Sequence, residues 1–216
     1  MTLLPLNFYL QEDVVSIGQE LLGKCLFTKI GSDPITGGMI IETESYAGPI
    51  DRASHAYNMR RTKRNEVMYK KGGVAYVYLC YGIHHLFNVV TNVEGVPHAV
   101  LIRALKPISG VETMLKRRKI QEMQKLTSGP GALCQALGID LRHNGSSLLS
   151  DMIWIEEADE KISKDKILAG PRIGIDYAGE DAFLPWRFLI KEDVAKLRCG
   201  SKSSNLSSPS TFCNSL

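Results

Sequence analysis

The stretch AYVYLCYGIHHLFN, residues 75–88, constrains the fold of this chain more than any other segment. Tyr76 and Tyr78 alternate with apolar neighbours as strand residues with one buried side do. The apolar pattern resumes after Gly82 as HLFNVVTNV, so the chain is expected to turn back at Tyr81-Gly82 and form a hairpin. Turn tips are usually small and polar, which makes the large ring of Tyr81 at this tip the feature that needs a reason. Two more segments read as strands: GGMIIETESYAG, stopped by Gly48 and Pro49, and HAVLIRALKP, ended by Pro107. Together they predict a meandering antiparallel sheet.

Helical pattern is scarcer. Asp13 can cap a helix over VVSIGQELLGK, whose stripe is Val14, Ile17, Leu21 and Leu22 and whose stop is Gly23. A second helical pattern runs from Ser109 to Leu126, and a short third one, GALCQALG, follows Ser128-Gly129-Pro130. Residues 49–73 are polar, basic and weakly periodic, consistent with a long loop holding at most one helical turn; long structured loops are often functional. RIGIDYAGEDAFLPWRFLI mixes short strands with Gly and Pro turns. The expected class is α+β: a single domain over residues 1–198, with a curved, mostly antiparallel sheet, a protruding β-hairpin and flanking helices. The Ser-rich segment 199–216 is too polar to pack and is expected to be a disordered tail.

A chain of 216 residues with 44% hydrophobic content is long enough for one well-buried core, although two small domains also fit that length. The formal charge of +3 does not by itself announce a nucleic-acid binder. No apolar run approaches the roughly 20 residues of a membrane span, and the N-terminus lacks the flanks of a secretion signal, so an intracellular protein with no membrane partner is expected. The five cysteines are scattered singly, which argues against a disulfide framework and a zinc site.

Three groups of residues could carry chemistry, and each has a plain alternative. Glu42 and Glu44 lie two apart on a strand, about 7 Å from one another on one face, and could supply a general base or simply a solvated strand face. Tyr46, Tyr76, Tyr78 and His55 could line a slot that stacks a planar ring, or the tyrosines could be core. Arg60-Arg61-Thr62-Lys63-Arg64, with Lys70-Lys71, would suit phosphates, or be an ordinary charged loop. The cluster Lys116–Lys119 reads as a solvated helix face. His84-His85 lacks metal-ligand spacing. There is no GxSxG elbow, Walker loop or GxGxxG after a strand, and no lysine in an apolar strand position.

Several stretches together resemble the alkyladenine DNA glycosylase family: ELLGKCL, IIETESYAGPIDRASHA, RTKRN, VAYVYLCYGIHHLFNVV, LIRALKP, GPGALCQALGI and RIGIDYAGEDAFLPWRF. They cover most of the chain from Glu20 to Ile190. The resemblance implies a monofunctional enzyme of DNA repair that flips alkylated purines, 3-methyladenine foremost, out of duplex DNA. It implies hydrolysis of the N-glycosidic bond to an abasic site, a monomer, and no metal or organic cofactor. Such an enzyme would be nucleoid-associated in a bacterium and nuclear in a eukaryote.

Carried over by position, the resemblance makes Glu44 the base that activates water, with Arg103 supporting the site. It makes Tyr46, His55 and Tyr78 the enclosure of the extruded base, and Tyr81 the wedge left in the duplex. Asn88 lies against the edge of the base and would crowd the 2-amino group of guanine. Arg60, Thr62, Met68 and Gly174 approach the DNA backbone or the widened groove. The chain departs from the family pattern at Ala132, where a lysine is usual, and at Ile83, His84 and His85 after the wedge. The competing readings are a non-enzymatic module that stacks single-stranded bases and a lyase acting through a lysine Schiff base.

Overall fold

A computed structural model of the protein describes residues 2–158 and 161–191. Everything in it is arranged around one long strand. β1 (Cys25–Thr28), β2 (Thr36–Tyr46), β3 (Ala75–Cys80), β4 (His84–Thr91), β5 (His98–Ser109), β6 (Ile153–Glu156), β7 (Ile167–Gly170) and β8 (Arg187–Ile190) form a single curled sheet. The main path is β3-β4-β5-β2-β1-β6, and β8 joins β2 to β7 off that path, every pairing antiparallel.

β2 keeps β5 along one edge but changes neighbour on the other, pairing with β1 from Thr36 to Met39 and with β8 from Glu42 to Glu44. The change coincides with two compensating bulges. Ile40 pairs with Leu105, Glu42 with Ala104 and Thr43 with Ile102, so Ile41 is the extra residue on β2 and Arg103 the extra residue on β5. Bulges increase local twist and re-aim side chains; this pair lets β2 serve two neighbours and turns Arg103 out of the ordinary alternation.

The two faces of β2 separate beyond the bulge. Thr43 Oγ1 donates to the carbonyl of Gly18 at 2.7 Å and Ser45 Oγ to that of Val14 at 2.9 Å, binding β2 to α2 (Val14–Glu20). Asp13 caps that helix by accepting the Val15 N–H at 2.9 Å. Close packing here requires Gly18, since a Cβ would sit 2.2 Å from Ser45 Oγ. Glu42 and Glu44 take the opposite face, where both meet Arg103. The main core joins Ile17 of α2 and its C-cap residue Leu21 to Ile40, Phe87, Val100 and Ile102 of the sheet, each buried side chain contributing about 1.5–3 kcal/mol.

The α+β class, curved antiparallel sheet and hairpin are as the sequence predicts. Some details differ. β5 continues through Pro107 to Ser109, because Pro107 faces Gly38 beside a bulge at Ile108, where a missing N–H is tolerated. The helix expected over 109–126 is α3 (Val111–Arg118), preceded in the chain by α1 (Leu6–Tyr9) and followed by α4 (Pro130–Leu137). α3 stops early because Lys119 adopts φ +54° and its N–H reaches Lys116 O while Ile120 N–H reaches Leu115 O, the Schellman pattern without glycine. Residues 49–73 contain 3-10 turns at Tyr57–Met59 and Glu66–Tyr69, more order than one turn. The expected tail, residues 199–216, lies outside the described residues, among which no helix is long and apolar enough to cross a membrane.

The β2–β5 seam is close at Gly38, where a Cβ would lie 2.3 Å from the Lys106 carbonyl oxygen and 3.0 Å from Pro107 Cα. Gly38→Ala is therefore expected to destabilise the protein by about 1–3 kcal/mol, measured as a lower midpoint in urea unfolding; an unchanged midpoint would show that the seam yields.

Candidate active site

A cavity of about 640 Å³ opens between the β3–β4 hairpin, the C-terminal part of β2, the start of α4 and the segment 173–177. Glu44 forms part of its wall although its side chain is 0% exposed. Three donors from three parts of the chain surround that carboxylate. Arg103 Nη1 lies 3.2 Å from Oε2, the Tyr46 hydroxyl donates to Oε2 at 2.9 Å, and the backbone N–H of Ile173 donates to Oε1 at 2.8 Å. Burial raises the Glu44 pKa above the ordinary carboxylate value, opposed by Arg103, the Ile173 N–H and the Tyr46 hydroxyl, and assisted by neighbouring Glu42. The result is a carboxylate with a greater proton affinity than a solvated one.

Arg103 is shared. Its Nε donates to Glu42 Oε1 at 3.0 Å, and the same oxygen accepts from Arg187 Nη1 at 3.1 Å. The alternation that places Glu42 and Glu44 on one face is thus realised as a charge row: Arg187, Glu42, Arg103, Glu44. Its two ends differ, since Glu44 is wholly buried and Arg187 is part-exposed.

Aromatic rings also line the cavity. His55 meets Tyr78 edge to face with ring centroids 4.7 Å apart, and Tyr76 lies 5.4 Å from Tyr78. Tyr76 is buried and its hydroxyl is 2.8 Å from His55 Nδ1, so it orients the histidine from below. Burial, with the charges of Arg64 and Arg60, lowers the His55 pKa to about 4 and keeps the imidazole neutral at physiological pH. Asn88, paired with Tyr76 across the hairpin, donates from Nδ2 to the Tyr76 carbonyl at 3.1 Å and also lines the cavity.

Tyr81 stands at the hairpin tip, 87% exposed, at the cavity's edge. Tyr81 and Gly82 both have positive φ, +50° and +72°, and Ile83 N–H closes on Cys80 O at 3.1 Å, as in a type I′ turn. A bulky residue in that region is uncommon and strained.

The remaining expected site residues divide. Gly174, at φ +74°, and the buried Met68 both line the cavity. Arg60 and Thr62 do not: they are exposed on the neighbouring loop, where buried Asn65 organises the chain. Asn65 Nδ2 donates to the carbonyls of His55 and Arg60, and its Oδ1 accepts from Thr62 N at 2.7 Å. Ala132 lies at the cavity edge in the first turn of α4. Among the described residues no group of three or more His, Cys, Asp or Glu side chains is placed to hold a metal ion.

The sequence has close relatives among known proteins. A family model described as methylpurine-DNA glycosylase matches residues 7–194. The chain belongs to that family. A Chlamydia felis protein bearing the name 3-methyladenine DNA glycosylase is 53% identical over 196 residues, 90% of this chain and 99% of the relative. A Bacillus cereus (strain G9842) protein of the same name is 48% identical over 196 residues, 87% and 95% of the two chains.

In this member of the methylpurine-DNA glycosylase family Arg64 and Tyr177 also line the cavity, and Asp51 and Arg172, which do not line it, pair next to Tyr46; spacing in the sequence assigns none of them to the pocket. Arg64, part of the basic run, lies over the Tyr78 ring at 5.2 Å. Tyr177 is 71% exposed at the cavity mouth, anchored by its hydroxyl to the Ala53 carbonyl at 3.2 Å. Asp51 and Arg172 form a wholly buried bidentate ion pair, Nη1–Oδ2 2.5 Å and Nη2–Oδ1 2.8 Å. Arg172 also stacks on Tyr46, its guanidinium carbon 4.8 Å from the ring centroid.

Arg103→Gln leaves Glu42 and Glu44 without the charge they share. A glutamate with a raised folded-state pKa favours the folded protein at low pH and loses that advantage as pH rises through the folded value. The variant is therefore expected to lose about 3–5 kcal/mol at pH 8 and markedly less at pH 5, by urea unfolding at the two pH values; an equal loss at both would mean Arg103 does not act on these carboxylates.

Proposed function

We propose that the protein is a monofunctional DNA N-glycosylase that extrudes alkylated purines, 3-methyladenine foremost, from duplex DNA and hydrolyses their N-glycosidic bond with water activated by Glu44. The observation that carries this reading is a wholly buried carboxylate of raised pKa in the wall of an aromatic cavity, beside a hairpin that presents an exposed tyrosine. Membership of the methylpurine-DNA glycosylase family supports it.

A base inside a duplex hides its glycosidic bond, so the nucleotide must swing out at a cost of a few kcal/mol, less where the base is damaged and weakly paired. Tyr81 offsets part of that cost by filling the gap, as other intercalating side chains do. The strained turn makes this economical, because it presents the ring outside the protein before DNA arrives. Arg60 and Thr62 on the loop beside the cavity, with Gly174 and the Met68 segment at its rim, meet the backbone and the widened groove.

Alkylation of a ring nitrogen makes a purine cationic and a better leaving group. The enclosure formed by Tyr46, His55 and Tyr78 suits such a base, since stacking contributes about 1–3 kcal/mol and a neutral His55 adds no repelling charge. The bond from C1′ to the purine nitrogen breaks with its electron pair leaving on the base, which departs neutral. The sugar carries the positive charge, stabilised by Glu44, until the water oxygen bonds to C1′ and its proton passes to Glu44. Asn88 faces the edge of the base and crowds the 2-amino group of guanine. The enzyme works as a monomer, wherever the cell keeps its DNA.

Glu44→Gln keeps the shape of the site but cannot accept the proton. Release of 3-methyladenine from a duplex is expected to fall by at least about 100-fold, with duplex affinity retained in a gel-shift titration. Unchanged release would reject the mechanism and favour a module that only binds nucleic acid.

A further inference from the structure

Residues 171–175 run between β7 and the 3-10 turns of Asp176–Phe183 with no regular structure of their own. No sheet ladder holds this segment, yet it delivers the Ile173 N–H to Glu44 Oε1 at 2.8 Å and turns away at Gly174, φ +74°. Its anchor is the neighbouring side chain. Arg172 makes the bidentate pair with Asp51 and donates to the carbonyls of Ser45 at 2.9 Å and Asp181 at 3.2 Å. Asp51 in turn accepts the N–H groups of Ala47 at 3.2 Å and Ala53 at 3.0 Å. One buried pair thereby ties together the end of β2, the approach to His55 and the segment that touches the carboxylate.

Stability alone is a weak reason for such a pair, because well-packed apolar residues often serve a core as well or better. We propose that Arg172, through its buried pair with Asp51, is a positioning residue that holds the Ile173 N–H on the Glu44 carboxylate. This rests on the glycosylase reading for its consequence in catalysis, but its structural part concerns Glu44 in the DNA-free protein. The groups that face Glu44 are Arg103 from β5, Glu42 and Tyr46 from β2, and the Ile173 N–H with Arg172 behind it; Arg187 reaches the cluster through Glu42. Removing the anchor leaves Arg103 and Glu42 in place and weakens the Ile173 N–H as a donor to the charged form; Arg172→Lys also takes the planar guanidinium off the Tyr46 ring.

The test uses Arg172→Lys, which keeps the charge but loses the planar fork. The second variant is the uncharged double substitution Asp51→Asn with Arg172→Gln, which leaves no unpaired buried charge should the first fail to fold. The full-length protein is labelled with ¹³C at glutamate carboxyl carbons, and the Glu44 signal is identified by its loss in Glu44→Gln. Titration without DNA is expected to show the Glu44 midpoint raised by about 1 pH unit in the variants. Single-turnover release of 3-methyladenine on the acid limb of its pH profile is expected to fall about 10-fold, the limb moved up by about 1 pH unit and duplex affinity within about 2-fold. A midpoint unmoved from wild type in a folded variant overturns the proposal, whether or not the rate falls. Failure of the wild-type protein to release base would count against the glycosylase reading, while the titration still decides the role of Arg172.

Discussion

A carboxylate with no solvent-accessible surface stays charged only where donors replace the water it has lost, and the arrangement around Glu44 is organised by that requirement. Each donor reaches Glu44 by a different structural device. Arg103 does so because it is the extra residue of a β-bulge, Tyr46 because it is two residues farther along the same face, and Ile173 because an irregular segment is clamped by a buried ion pair. Burial still prevails over the donors, so the group keeps a raised proton affinity. A general base gains from that balance, since a raised proton affinity favours taking the proton of the attacking water.

The hairpin meets the opposite demand, a large apolar ring kept in solvent. Period two along β3 gives Tyr76 and Tyr78 the same face and different tasks: the buried Tyr76 fixes His55 through its hydroxyl, and Tyr78 stands against the histidine ring in the cavity. Tyr81 leaves the alternation at the turn, in a left-handed conformation that few tyrosines adopt. The local strain is sustained by the ladder from Ala75–Val89 to Cys80–His84 on either side of it.

Much of this was legible in the sequence because it depends on alternation and punctuation. The hairpin, the face shared by Glu42 and Glu44, the Asp13 cap and the position of Tyr81 all follow from spacing between near neighbours. What spacing cannot carry was missed. The bulges at Ile41 and Arg103 arise because β2 exchanges β1 for β8 as a neighbour, which is settled only when distant strands assemble. β1 and β6 are four residues each, too short for periodicity to mark. The Asp51–Arg172 pair joins positions 121 residues apart. The contribution of Ile173 is a backbone N–H, which no choice of side chain advertises. Tyr76, equally compatible with core and pocket by composition, is a buried residue whose one polar atom serves the pocket.

The account stands on a nucleotide entering the cavity with its sugar carbon before Glu44. The most direct measurement is a crystal structure of the protein with a duplex carrying one nucleotide whose deoxyribose is replaced by a cationic pyrrolidine ring, a mimic of the charged sugar. The account predicts that this nucleotide is extruded, that a water bridges the ring to Glu44, and that Tyr81 occupies the vacated place in the stack. A nucleotide still stacked in the duplex, or one bound with its ring remote from Glu44, would contradict it.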